Sequence, residues 1–224
     1  MSTVQSILII VTSISEIAPG EPTGLWLEEL AVPYMEFKGK GFKVSVASIQ
    51  GGKAPIDPRS NPNPEQKEAW AEAIKALDNT VPVASVEPTN FDAVFIPGGH
   101  GTMFDFPNSE DLHKALQAFA KQDKVIATMC HGPASLVGVT LEDGAPLVAG
   151  KTVTSFTNEE ESGAGFKEKM PFLLEDRLRA LGANFIEEPN WSNHVQIDGK
   201  LITGQNPQSS QGTALAVINA LTNN

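Results

Sequence analysis

Three runs constrain this chain most: Ser6–Thr12 (SILIIVT), Asp92–Ile96 (DAVFI) and Lys124–Met129 (KVIATM). Each is short, almost continuously apolar and rich in β-branched residues. A strand with one wet face alternates polar and apolar residues, whereas runs like these suit strands covered on both faces. Further strands are expected at Lys43–Ser48, Val81–Val86, Lys151–Ser155 and Asn184–Glu187, with a hairpin over Val195–Thr203 turning at Asp198-Gly199. Helical spacing of apolar residues fills the intervals at Leu25–Phe37, Glu65–Leu77, Glu110–Gln122, Glu168–Leu181 and Ser209–Leu221, and another helix starts over Pro133–Val137. Pro33 is expected to kink or break the first of these. Strands alternating with helices imply an α/β fold, a doubly wound, mainly parallel sheet flanked by helices. Functional groups in such sheets gather at the carboxyl ends of the strands.

The 224 residues suffice for one sizeable core and contain no internal repeat, so a single domain over 1–224 is expected. The net charge of -11, with no Lys/Arg cluster, argues against nucleic acid as a partner. No run approaches the roughly 18 apolar residues of a membrane span. The N-terminal apolar run, Ile7–Val11, is too short and too poorly flanked for a signal peptide. One cysteine excludes an intrachain disulfide and fits a reducing cytoplasm.

Two strand ends carry the residues with chemistry. At the first, Lys124–Met129 runs into Cys130-His131-Gly132-Pro133. A strand, one reactive residue and small residues opening a helix make the layout of a nucleophile elbow. The positive end of that helix is expected to favour a thiolate at Cys130. His131 offers a backbone N–H for an oxyanion and a ring that becomes a base if a carboxylate orients it. At the second, Asp92–Ile96 runs into Pro97-Gly98-Gly99-His100-Gly101, whose glycines let backbone N–H groups approach a substrate. Glycine spacings of nucleotide-binding loops are absent. Glu28 and Glu29 lie on the first helix, and Glu159, Glu160 and Glu161 follow the strand at Lys151–Ser155; a solvated face is the default for both clusters, and only one acid of each has room to point inward.

These segments resemble the ThiJ/PfpI superfamily, with its flavodoxin-like, glutamine-amidotransferase-like fold, and within it the glyoxalase III and heat-shock-chaperone branch. The likeness is carried from end to end by Thr23–Glu29 (TGLWLEE), Pro97–Pro107 (PGGHGTMFDFP), Met129–Ala134 (MCHGPA), Gly150-Lys151, Ser155–Glu161 (SFTNEEE) and Leu201–Ser210 (LITGQNPQSS). The resemblance implies Cys130 as nucleophile, His131 and Glu161 completing a Cys-His-Glu triad, and Glu29 as the acid that hydrogen-bonds the sulfur and shuttles protons. It implies Gly98, Gly99 and His100 as the oxyanion and substrate-binding loop, and a homodimer. No cofactor is implied. The metal site of the larger chaperone relatives has no evident ligand set here, so none is expected.

The implied reaction is glutathione-independent conversion of methylglyoxal or a related 2-oxoaldehyde to a 2-hydroxy acid through a Cys130 hemithioacetal. A holdase chaperone, a redox sensor and a protein deglycase would use the same cysteine. An amidase or amidotransferase is disfavoured, because the late histidine of this chain, His194, is followed by Val195-Gln196 and not by an acid two residues on.

Overall fold

The computed structural model describes residues 4–222. Its centre is a seven-stranded sheet. We number its strands β1 (Ser6–Val11), β2 (Lys43–Ser48), β3 (Val81–Pro82), β4 (Ala93–Ile96), β5 (Val125–Met129), β6 (Val195–Asp198) and β7 (Leu201–Gly204). Their spatial order is β6-β7-β5-β4-β1-β2-β3. All neighbouring pairs are parallel except the β6–β7 hairpin, which adds an antiparallel edge. The expected doubly wound sheet is therefore present.

Strand periodicity divides the core. Ile7, Ile9, Val11 and Phe95 face one side, where they pack with Phe37 of helix α1 (Leu27–Gly39) and Val217 of the C-terminal helix (Ser210–Thr222). Leu8, Ile10, Val94 and Ile96 face the other, against Leu116 and Phe119 of the helix Glu110–Lys121. Every one of these side chains is fully buried. That explains why the central strands read as continuous apolar runs.

Several elements depart from the sequence expectation. Helix α1 begins at Leu27 because Leu25 is held in a bridge to Ile56, and it runs unbroken through Pro33 to Gly39. The segment Glu65–Leu77 is two short helices, Pro64–Ala69 and Ala71–Ala76, meeting at Trp70. Val81–Val86 is extended only over Val81–Pro82 before a 3-10 turn. Thr152–Val153 pairs with Asn184–Phe185 in a separate small sheet, outside the main one. The expected helix Glu168–Leu181 is helical only from Leu174 to Ala180, after a turn at Lys167–Lys169. The segment opening at Pro133 is a five-residue 3-10 helix, Gly132–Leu136.

Phe37 and Phe95 meet edge-to-face with centroids 5.6 Å apart, joining α1 to the middle of the sheet. Truncating such a ring loses its transfer free energy and leaves a cavity. Phe37→Ala is expected to lower unfolding free energy by about 3–5 kcal/mol, read as a lower urea midpoint at unchanged m-value.

Candidate active site

Strands β1, β4 and β5 end side by side, and their carboxyl ends carry the site. Cys130 follows β5 directly and has φ 54°, a left-handed conformation that a non-glycine residue adopts only under constraint. The constraint is visible: Cys130 N–H donates to the Gly204 carbonyl (2.9 Å), and the Cys130 carbonyl accepts from Phe156 N–H (2.9 Å). Gly132 packs so closely under the turn that a Cβ would collide with the Ile96 carbonyl and Thr128 Oγ1. This is the expected elbow geometry.

The resemblance-based trio meets at this point. His131 Nδ1 lies 3.4 Å from Cys130 Sγ, and its Nε2 is 2.6 Å from Glu161 Oε2. Glu161 sits in the first turn of the helix Asn158–Ala164, where Thr157 and Glu160 form a capping box. A second imidazole shares the same carboxylate, with His100 Nε2 2.8 Å from Glu161 Oε1. Burial alone would raise the Glu161 pKa, but the two imidazoles outweigh it and hold this carboxyl far below its usual range. Glu161 is thus a fixed anion between two rings.

Glu29 has the opposite character. It is completely buried on the first turn of α1, and Gly98 N–H donates to its Oε2 at 2.7 Å. Its Oε1 has no hydrogen-bond partner among the described residues, and the Cys130 thiol is the neighbouring side chain that acts on this carboxyl. Burial pushes the Glu29 pKa up to about 8, with Glu28 adding a smaller upward push. At neutral pH Oε1 therefore carries a proton. Glu28, one residue away, is half-buried and lines the cavity mouth.

The thiol does not follow the sequence expectation. Burial pushes the Cys130 pKa well up and Glu29 adds to it, through its charge once it ionises, while the His131 backbone N–H is the downward influence. The 3-10 helix after Cys130 is too short to offset desolvation with a sizeable dipole. The resting pair therefore holds both protons at neutral pH, and a base must take the thiol proton as sulfur attacks.

The glycine loop also divides. Gly98 N–H is already given to Glu29, so it is not a free donor. Gly99 has φ 105° and lies against the Gly24 carbonyl and Trp26 amide, an approach a side chain would block. Gly99, His100, Cys130 and His131 all line one cavity of about 320 Å³, walled further by Phe156, Phe166 and Trp191. The acid cluster at Glu159–Glu161 differs from expectation as well. Both Glu160 and Glu161 are buried, because Glu160 turns the other way and accepts from Trp191 N–H (2.9 Å) and Asn206 Nδ2 (2.8 Å).

Sequence reasoning passed over Asp57 and Arg59 altogether, since they lie in an irregular Gly/Pro/Asn-rich loop. Arg59 Nη2 is 3.1 Å from His100 Nδ1, and Arg59 is paired with the fully buried Asp57. The same loop is bound to the start of α1 through Leu27 N–H to Ser60 Oγ (3.0 Å) and Asp57 N–H to the Leu25 carbonyl (2.9 Å). The one available signal was the tripeptide Asp57-Pro58-Arg59, which suits a capped turn.

His100, His131 and Glu161 have ligand atoms within 4.8 Å of one another, a distance that would admit a metal. Their N···O separations of 2.8 and 2.6 Å are hydrogen-bond lengths, whereas two ligands of a tetrahedral zinc ion stand about 3.3 Å apart. The trio as arranged fits protons and not an ion.

A model of the DJ-1/PfpI family matches residues 23–220, which contain every residue of this site. The chain belongs to the DJ-1/PfpI family. Among family relatives, Glyoxalase 3 of Candida albicans is 33% identical over 229 residues, covering 96% of this chain and 97% of that protein. The glutathione-independent glyoxalase HSP31 of Saccharomyces cerevisiae is 30% identical, covering 98% of this chain and 99% of its own. The crystal structure of C. albicans glyoxalase III superposes with a TM-score of 0.91 at 32% identity, covering 98% of each chain. The Rapid Encystment Protein 24 kDa of Francisella tularensis superposes at 0.92 with 35% identity, covering 97% of this chain and 99% of that one. Among the described residues no helix is long and apolar enough to cross a membrane.

The buried Glu29 gives this DJ-1/PfpI chain a pH signature. Its folded-state pKa of about 8 lies above the ordinary 4.5, so the folded state holds a proton that the unfolded state has lost. The resulting stability is present in full below pH 4.5 and is lost progressively as pH rises towards 8. Glu29→Gln keeps the amide contact and cannot ionise. It is expected to lose less stability than the parent between pH 5 and pH 9, measured as the difference in urea midpoints.

Proposed function

We propose that this chain is a glutathione-independent glyoxalase that converts methylglyoxal or a related 2-oxoaldehyde to a 2-hydroxy acid, D-lactate from methylglyoxal. The observation that carries the reading is the meeting of a nucleophile, a base and a proton-bearing carboxyl around one sulfur. The near-full-length likeness to curated glutathione-independent glyoxalases supports it.

In this reading Cys130 Sγ adds to the aldehyde carbon as His131 Nδ1 takes the thiol proton. Glu161 stabilises the imidazolium that forms, as an orienting carboxylate does in other nucleophile–base pairs. The Glu29 proton passes to the new hemithioacetal oxygen. The Glu29 carboxylate then removes the hydrogen from the former aldehyde carbon while the His131 imidazolium protonates the neighbouring carbonyl oxygen, giving an enediol. Glu29 returns its proton to the neighbouring carbon and recovers the hydroxyl proton of the former aldehyde oxygen as the thioester carbonyl forms. Two carbonyls have now become a hydroxyl and a thioester with no external oxidant. Water hydrolyses the thioester, releasing the 2-hydroxy acid and restoring the thiol. An acid with pKa near 8 suits this exchange, because it gives and regains a proton near neutrality. With Gly98 N–H serving Glu29, the oxyanion in this reading falls to the Gly99 and His131 N–H groups, the latter released by the sulfur as it bonds to carbon.

The expected homodimer and cytoplasmic setting belong to this proposal. The amidotransferase alternative gains nothing from His194, whose ring meets Gln196 (3.2 Å) and, among the described residues, no carboxylate. Pure protein incubated with methylglyoxal and no glutathione is expected to yield D-lactate, measured enzymatically. Cys130→Ser is expected to abolish turnover while keeping the same melting temperature. Full turnover in that variant would refute the nucleophile.

A further inference from the structure

The triad accounts for one side of Glu161 and leaves the other unexplained. Glu161 Oε1 faces His100 Nε2 at 2.8 Å, and His100 Nδ1 faces Arg59 Nη2 at 3.1 Å. A guanidinium has only donors and keeps its proton at any working pH. The Arg59 N–H must therefore donate to Nδ1, which makes Nδ1 the acceptor nitrogen. The His100 proton is then on Nε2, pointing at Glu161.

Arg59 is held in place from three directions. Its Nε donates to Asp57 Oδ1 at 2.8 Å, and its backbone N–H donates to the same oxygen at 2.9 Å. Its Nη2 pairs with Asp57 Oδ2, which also accepts from Thr23 Oγ1 at 3.1 Å. The guanidinium lies 4.0 Å over the Phe166 ring, and the His100 ring stacks on the same phenyl at 4.4 Å. The His100 and His131 rings are 4.2 Å apart. This order is far more than a surface arginine needs.

We propose that Arg59 and His100 are positioning residues: the guanidinium caps His100 Nδ1, keeps that ring neutral with its Nε2–H on Glu161, and so reserves the Glu161 charge for His131. Without the cap, His100 would gain a second proton and pair with Glu161 itself. Glu161 would then stabilise the His131 imidazolium less, and proton removal from Cys130 would slow. The titratable and charged groups facing His100 are Glu161, His131 and Arg59, with Asp57 behind Arg59. Burial, the neighbouring His131 and Arg59 all hold its pKa down, to about 4, against the opposite pull of Glu161.

The turnover arm of the test rests on the glyoxalase reading; the spectroscopic arm does not. The full chain is labelled with ¹⁵N-histidine, and its four imidazoles are followed by long-range ¹H–¹⁵N spectra from pH 5 to 8 in the parent, Arg59→Met and Arg59→Lys. In the parent, His100 is expected to stay a neutral Nε2–H tautomer. In Arg59→Met its midpoint is expected to rise by about one unit or more, a tenfold change in proton affinity. At pH 5, where a one-unit rise from about 4 leaves about half of the His100 rings charged, kcat is expected to fall about twofold with KM unchanged, the fall is expected to vanish towards pH 7, and Arg59→Lys is expected to recover both measures in part. An unmoved His100 titration in Arg59→Met overturns the proposal. So does a shifted titration with unchanged kcat, and so does a raised KM at constant kcat, which would place Arg59 on the substrate. If the parent itself does not turn over methylglyoxal, the glyoxalase reading fails separately. The rate of Cys130 alkylation by iodoacetamide then replaces kcat, with the same fall expected. Arg59→Met strands the buried Asp57 charge, so His100→Leu, which keeps the Asp57–Arg59 pair, is measured beside it. With no ring left to compete for Glu161, adding Arg59→Met to His100→Leu is expected to slow alkylation no further, and a further fall as deep as that seen in the parent background overturns the proposal.

Discussion

One carboxyl organises this molecule. Glu29 is carried in by α1, takes the Gly98 amide from the end of β4, and reaches the sulfur at the end of β5. Three elements far apart in sequence are fastened at a point where desolvation would otherwise make a charged group very costly. The fold meets that cost by keeping the carboxyl protonated. The left-handed turn at Cys130 is held by its backbone bonds to Gly204 and Phe156, and it sets the sulfur 3.4 Å from His131 Nδ1.

Two buried carboxyls of the site are driven apart by their neighbours. Glu29 has one amide and a thiol beside it, and burial keeps it neutral near pH 7. Glu161 is also buried, yet two imidazoles fix it as an anion. The same residue type thus supplies a mobile proton at one position and a permanent charge at the other. Separation of this kind lets one site give and take protons at a single pH. The loop holding Asp57 and Arg59 is tied to the start of α1, so both halves of this electrostatic arrangement hang from the same helix terminus.

Legibility in the sequence followed the range of the interactions. β1, β4 and β5 were readable because strands buried on both faces must be apolar throughout. The elbow was readable because strand, Cys130 and Gly132 are contiguous. Choosing Glu29, and pairing Glu161 with His131, came from resemblance, since nothing local says which acid of a cluster a distant histidine will meet. Periodicity failed where tertiary contacts decide. The bridge from Leu25 to Ile56 delays α1, and the apolar pattern that starts at Glu168 becomes helical only from Leu174. The thiol was misjudged because dipole orientation is visible in a sequence, whereas complete desolvation is visible only in a structure. Arg59 was invisible for the related reason that its importance lies in a contact 41 positions away, with His100.

The central claim is that a neutral carboxylic acid stands beside Cys130 in the working protein. Infrared spectroscopy of the full chain carrying ¹³C-labelled glutamate side chains tests it most directly, because the carbonyl stretch of a protonated carboxyl is separate from the carboxylate bands. The label also sets Glu29 apart from Asp105, a half-buried acid whose pKa is likewise raised by burial, to about 6. The account predicts a protonated glutamate band at pH 7 that is absent from Glu29→Gln and fades in the parent as pH passes about 8. A parent spectrum at pH 7 with no protonated glutamate, or one whose band survives in Glu29→Gln, would contradict it.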